Sequence, residues 1–288
     1  MVIKFRGIAM QRFKNILCVF NTDLKNNAAL EQAVKLAENI QANLTVVVVI
    51  DEISPNSKVL ENVLSLEDFQ AKIVIEHREK LKELVFPWGK EIEIKTRVLI
   101  GISFMEIIHE VLRSGHDLVV KMAESGDLLS RVFGSDDMHL LRKCPCPVWL
   151  IQHKSPKAYQ RILAAVDVDD SYPTEELNTR HLLNHQILEL ASSLALSEAA
   201  ELHIVHAWVP IVEGMLRGGF TARPEKEVNT YVEEVKQQHS QNLNTLISET
   251  IGKLGQDTLE YLNRQKHLLK GYPRNTIPEF TGKLRRIS

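Results

Sequence analysis

Apolar positions along this chain fall into short unbroken runs separated by longer stripes at helical spacing. Residues 15–20 (NILCVF) and 44–50 (LTVVVVI) are solid apolar runs of strand length, as expected for strands covered on both faces. Between them Leu30, Ala33, Val34, Ala37 and Ile40 recur at helical spacing, with Asn26 or Asn27 placed to cap. A longer helix follows, with Leu66, Phe69, Ile73, Leu81 and Leu84 along one face, and His77 falls there as a packed side chain. Residues 92–100 alternate apolar and polar, which predicts a strand near a sheet edge. Gly101 then turns the chain into a helix carrying Met105, Ile108, Val111 and Leu112, and Gly115 suits its stop. Residues 117–122 read as a fourth strand and Val148–Ile151 as a fifth. Strand–helix alternation with short connections predicts an α/β fold: an open parallel sheet with helices on both faces.

Most of this pattern occurs twice. KNILCVFN (14–21) parallels QRILAAVD (160–167), and NLTVVVVID (43–51) parallels AELHIVHAW (200–208). Residues 95–112 parallel 265–284, with Gly101 falling on Gly271. The second copy has a longer lead-in to its first helix, 169–180. It also has an extended helix over 224–251 with Val228, Val232, Val235, His239, Leu243 and Leu246 along one stripe, read as covering the second sheet. Two tandem domains, 10–152 and 160–288, follow, joined by the polar stretch 152–159. Only four residues follow Leu284, so the second domain is expected to be incomplete and to lack its last two strands. Residues 162–166 would then expose an apolar edge, leaving the second half poorly ordered or paired with another chain.

Composition narrows the function classes. At 288 residues the chain is long for one domain and comfortable for two of roughly 140. A net charge of −2 gives no electrostatic case for nucleic acid or an anionic membrane as partner. No apolar run approaches the roughly 20 residues of a membrane span. MVIKFRGIAM has neither the apolar core nor the cleavage site of a signal peptide, and residues 1–9 read as an upstream extension. Three cysteines, two of them in Cys144-Pro145-Cys146, do not make a disulfide framework, and the expectation is a reduced, cytoplasmic protein. Cysteines one residue apart cannot readily bridge, so packing and a stiff approach to the last strand are expected of them.

With repeat and order in hand, the chain resembles the universal stress protein family, and within it the tandem E-type. GHDLVVKM and HLLRKCPCPVW, within 115–149, look like that subgroup's first-domain ending, and KNILCVFN and RILAAVD look like the family's strand opening. The resemblance implies Rossmann-like sheets of strand order 3-2-1-4-5, docked as a pseudo-dimer through their fifth strands. Val148–Ile151 would be that contact, or the contact of a homo-oligomer. It also implies a stress-response role, associated in E-type members with DNA-damage resistance and with oxidative, motility and adhesion phenotypes, without a defined reaction.

ATP-binding members of the family carry an aspartate ending the first strand and a loop of the form Gly-two-Gly-nine-Gly-Ser/Thr after the fourth. Glycines suit such a loop because backbone N–H groups must approach phosphates closely. Here Asn21 replaces the aspartate, Ala123 stands at the first glycine, and seven residues separate Gly126 from Gly134. Gly134-Ser135 opens a helix, but Asp136 and Asp137 in its first turn would repel a triphosphate, so Ser135 is read as a plain N-cap. The second copy keeps Asp167 and Gly271 but not the loop. The partial nucleotide or ligand site is therefore Asp167, Gly271, Gly126, Gly134 and Ser135. No ATP, other cofactor, metal or catalytic residue is expected; an ATP-binding enzyme or switch of the same fold is the alternative. His203 and His206 sit three apart in a strand and point to opposite faces, which argues against a shared metal.

Overall fold

The computed structural model describes residues 13–21, 27–53, 66–89, 92–124, 136–152, 159–218, 222–251 and 262–286. They divide into two compact units, within 11–156 and within 157–288.

The first unit runs β1 (Asn15–Val19), α1 (Ala28–Ile40), β2 (Asn43–Ile50), α2 (Leu66–Val85), β3 (Ile94–Ile100), α3 (Ser103–Ser114), β4 (Leu118–Met122), α4 (Asp136–Lys143) and β5 (Val148–Ile151). Its sheet is parallel throughout, in the order β3-β2-β1-β4-β5. The unbroken apolar run at β1 is explained by its central place: Ile16, Leu17 and Cys18 are fully buried. Leu17, Val19, Val47, Leu99 and Val119 face Ile107 and Val111 of α3 and Leu140 of α4. The alternate residues of these strands face the other way, where α1 buries Leu30, Ala33, Val34 and Ala37. β3, the alternating strand, lies at an edge.

Asp117 joins β1 to β4, because its carboxylate accepts from the backbone N–H of Lys14 (2.7 Å) and Asn15 (3.0 Å). Gly115 ends α3 in the left-handed region at φ 66°, as expected. Asn27 stands at the start of α1 but makes no side-chain cap there. His77 is half-buried, its Nδ1 2.9 Å from the Ile73 carbonyl.

The second unit runs β6 (Arg161–Ala165), α5 (Thr174–Glu198), β7 (Glu201–Trp208), α6 (Glu213–Arg217), α7 (Glu225–Ile251), β8 (Arg264–Lys270) and α8 (Pro273–Arg286). Its smaller parallel sheet has the order β6-β7-β8, with β7 buried between two edges. Ile162, Ala164, Val166, Leu202 and Ile204 on one face meet Leu188 and Ala195 of α5 and Leu243 and Leu246 of α7. The long helix thus covers the second sheet.

β6 is an edge strand here, and its two faces differ. Ile162 and Ala164 are buried, whereas Leu163 is half-buried and Ala165 exposed. The lead-in expected over 169–180 is shorter, because α5 already starts at Thr174. Pro173 at the N-cap position holds an extended ψ of 147°, and Glu175 and Glu176 complement the dipole of the first turn.

Candidate functional site

Strand ends in open parallel sheets are where ligands bind, so the carboxyl ends of β6–β8 and β4 frame the candidate sites. Asp167 lies just beyond β6. The buried Asn184 of α5 clamps its backbone, accepting from Asp167 N–H at 3.0 Å and donating to Asp167 C=O at 2.6 Å. The Asp167 carboxylate accepts from Arg180 Nη1 at 2.5 Å and from the Asp169 N–H at 3.3 Å. Arg180 also donates twice to Glu176 and lies 3.6 Å over the Tyr172 ring.

The rest of this loop is secured in the same way. Asp169 accepts from the Ser171 N–H at 3.0 Å. Asp170 accepts from Gln238 and Asn242 of α7 at 3.0 and 3.1 Å, and Asn242 also donates to the Val168 carbonyl at 3.1 Å. Three carboxylates therefore crowd this strand end, and the nearby guanidinium is already engaged. That arrangement disfavours a polyphosphate.

Gly271 stands at the end of β8, with β7 between it and Asp167. Its φ is 132°, its N–H donates to the Trp208 carbonyl at 2.8 Å, and a Cβ there would meet Thr276 Cγ2 of α8 at 2.6 Å. Gly101 repeats the geometry in the first unit, with φ 135° and its N–H donating to Ile50 C=O at 3.0 Å. The requirement for glycine at 271 is met by the strand-to-helix turn and by Thr276, without a ligand.

Gly126, Gly134 and Ser135 lie outside the described residues. Their neighbours are informative. Asp137, in the first turn of α4, is buried, and its carboxylate accepts from Lys121 Nζ of β4 at 2.5 Å and from the Glu124 N–H at 2.8 Å. An internal carboxylate thus takes up the cation and a backbone donor at the end of β4, where an anionic ligand would need them. Asn21 lies two residues beyond β1 and is exposed.

Histidines stand on both faces of the second sheet. His206 Nδ1 lies 3.1 Å from the Val166 carbonyl and its Nε2 lies 3.0 Å from His239 Nδ1. Burial lowers the His206 pKa, opposed by the Val166 carbonyl. On the opposite face His203 stacks on His267 and reaches Glu201 at 3.3 Å. The two strand histidines do point apart.

Cys144 and Cys146 are free thiols with Sγ atoms 3.6 Å apart, packed against the first core. The hydrogen bond from Cys146 lowers the Cys144 pKa to about 7 against the opposing effect of burial, and the same contact pushes Cys146 up.

Sequence reasoning did not single out Arg180, Asn184 or Asn242, whose roles depend on contacts between elements. It also passed over His181, His185 and Glu249, a grouping of metal-binding side chains among the described residues. The four-residue spacing of the two histidines was the available signal.

Residues 12–152 match the universal stress protein family. Over nearly the whole chain the sequence is similar to the universal stress protein E homolog of Haemophilus influenzae, 27% identical across 93% of this chain and 84% of that one. It is similarly related to universal stress protein E of Escherichia coli K12, 28% identical across 94% and 81%. A crystal structure of a Pseudomonas aeruginosa UCBPP-PA14 protein assigned to the universal stress proteins superposes with a TM-score of 0.65. At 23% identity, over 96% of this chain and 81% of that one, it establishes the fold alone. No described helix is long and apolar enough to cross a membrane. With its five-stranded 3-2-1-4-5 sheet, the domain over 12–152 belongs to the universal stress protein family, and the likeness to the E-type members extends over nearly the whole chain.

Proposed function

We propose that this protein acts in the cytoplasm as a non-catalytic stress-response protein that works by binding a ligand or partner, with roles in resisting DNA damage and oxidative stress. The observation that carries the reading is Asp137. A buried carboxylate of the protein's own holds Lys121 and the Glu124 N–H at the end of β4. In the second unit Asp167 is likewise engaged by Arg180. Among the described residues, neither strand end brings together a free cation and a bare backbone nest, which polyphosphate binding needs. Incubating the intact chain with magnesium-ATP and following phosphate release tests the non-catalytic half: release at the rate of a protein-free control is expected, and sustained turnover would overturn it.

A partner surface is suggested by β5, which closes the first sheet as an edge. Trp149, half-exposed on it, is paired in register with Val120. An open edge with an aromatic residue suits strand addition by a second copy. Sedimentation across a concentration series is expected to show self-association that Trp149→Lys abolishes. A strictly monomeric profile for the unaltered chain would count against this surface.

A further inference from the structure

His181 and His185 lie one turn apart on the same face of α5, and Glu249 of α7 reaches them across the groove between the two helices. The two Nε2 atoms are 2.9 Å apart, and Glu249 Oε2 is 3.5 Å from each. Three atoms bound to one tetrahedral zinc, each about 2.1 Å from it, stand about 3.4 Å from one another. The observed triangle brackets that spacing, so an ion can be accepted with small side-chain shifts.

A second observation concerns how His185 is held. Its Nδ1 lies 2.6 Å from Oγ1 of the buried Thr250, whose hydroxyl proton is directed to the Leu246 carbonyl at 2.8 Å. Thr250 therefore accepts from Nδ1–H, which leaves the Nε2 lone pair of His185 facing His181 and Glu249. A hydrogen bond that fixes the far ring nitrogen in this way is what orients metal-binding histidines. Asn184, next in the chain, clamps the Asp167 backbone and so fixes the rotation of α5 about its axis.

We propose that His181, His185 and Glu249 form a zinc site that clips α5 to α7 over the second sheet. The two imidazoles are ligands of borderline softness, and a set in which they outnumber the one hard carboxylate suits zinc better than calcium or magnesium. His181 and Glu249 are 58% and 45% exposed, so the fourth position opens to solvent and takes water or an external donor. Leu182 follows His181 where zinc peptidases carry their general-base glutamate, so the site binds without that hydrolytic chemistry. The site does not depend on the nucleotide reading of either strand end.

Zinc chloride titrated by calorimetry into the full chain carrying Cys144→Ser and Cys146→Ser, so that thiolates do not compete, tests the site. One ion per chain is expected, with affinity falling about 100-fold in His181→Ala and about 10-fold in Thr250→Val. Cobalt in place of zinc is expected to give tetrahedral d–d absorption that His181→Ala removes. His181 and Glu249 are exposed, so His181→Ala and Glu249→Gln keep the test valid should His185→Ala fold poorly. Absence of saturable binding, or equal binding by His181→Ala and the parent (an adventitious ion only), would overturn the proposal.

Discussion

Lys121 Nζ lies 2.5 Å from Asp137 Oδ1, and the two side chains are only 12% and 11% exposed. The pair joins β4 to the first turn of α4, and the second carboxylate oxygen of Asp137 ties down the Glu124 N–H. Asp137→Asn would leave an ammonium with little water and only the more exposed Glu124 carboxylate, 3.5 Å away, as counter-charge. We expect it to destabilise the first unit by about 3 kcal/mol, read as a lower urea midpoint with unchanged slope. An unchanged midpoint would mean that the pair carries no structural weight.

Gly271 and Gly101 share a backbone conformation that disfavours side chains, but their surroundings differ. A Cβ at Gly271 would sit 2.6 Å from the branched Thr276 methyl, whereas one at Gly101 would meet Glu106 Cγ at 3.1 Å, part of an unbranched side chain that can swing aside. Gly271→Ala is therefore expected to cost about 3 kcal/mol and Gly101→Ala about 1 kcal/mol, the backbone strain alone. Combining Gly271→Ala with Thr276→Ser should recover the difference in a double-mutant cycle. Equal losses at the two glycines would show that the Thr276 contact does not matter.

Acid should weaken the second unit through His206. Burial holds its pKa below the ordinary value of 6.5, so below that pH the unfolded chain takes a proton that the folded chain refuses. Stability is full above about pH 6.5 and is lost as pH falls toward the lowered native value. His267, also lowered by burial, acts in the same direction. Unfolding free energies measured from about pH 7.5 to about pH 5.5 should fall, and His206→Gln should flatten the slope. A slope unaffected by that change would remove His206 from the account.

The fold was largely legible because its signals are local. The solid apolar runs at 15–20 and 44–50 mark buried parallel strands, and Gly101 and Gly271 mark the same turn in both copies. The site was legible only in part. Asp167 is visible as the end of a strand, but its engagement depends on Arg180 and Asn184, which are brought to it by a helix starting earlier than the polar stretch 169–180 suggests. Likewise His181 and His185 are neighbours in sequence, while Glu249 reaches them only through the packing of α7 on α5. Periodicity specifies which face of a helix is buried, not which polar side chains meet across two helices.

On the proposed reading, Asp137 with Lys121 and Asp167 with Arg180 occupy groups at the two strand ends that a bound phosphate would otherwise engage. Calorimetric titration of ATP, with and without magnesium, into the intact chain tests it most directly. The account predicts no heat of saturable binding up to about millimolar ATP, equivalent to less than about 4 kcal/mol of affinity. Saturable binding at micromolar ATP would contradict it.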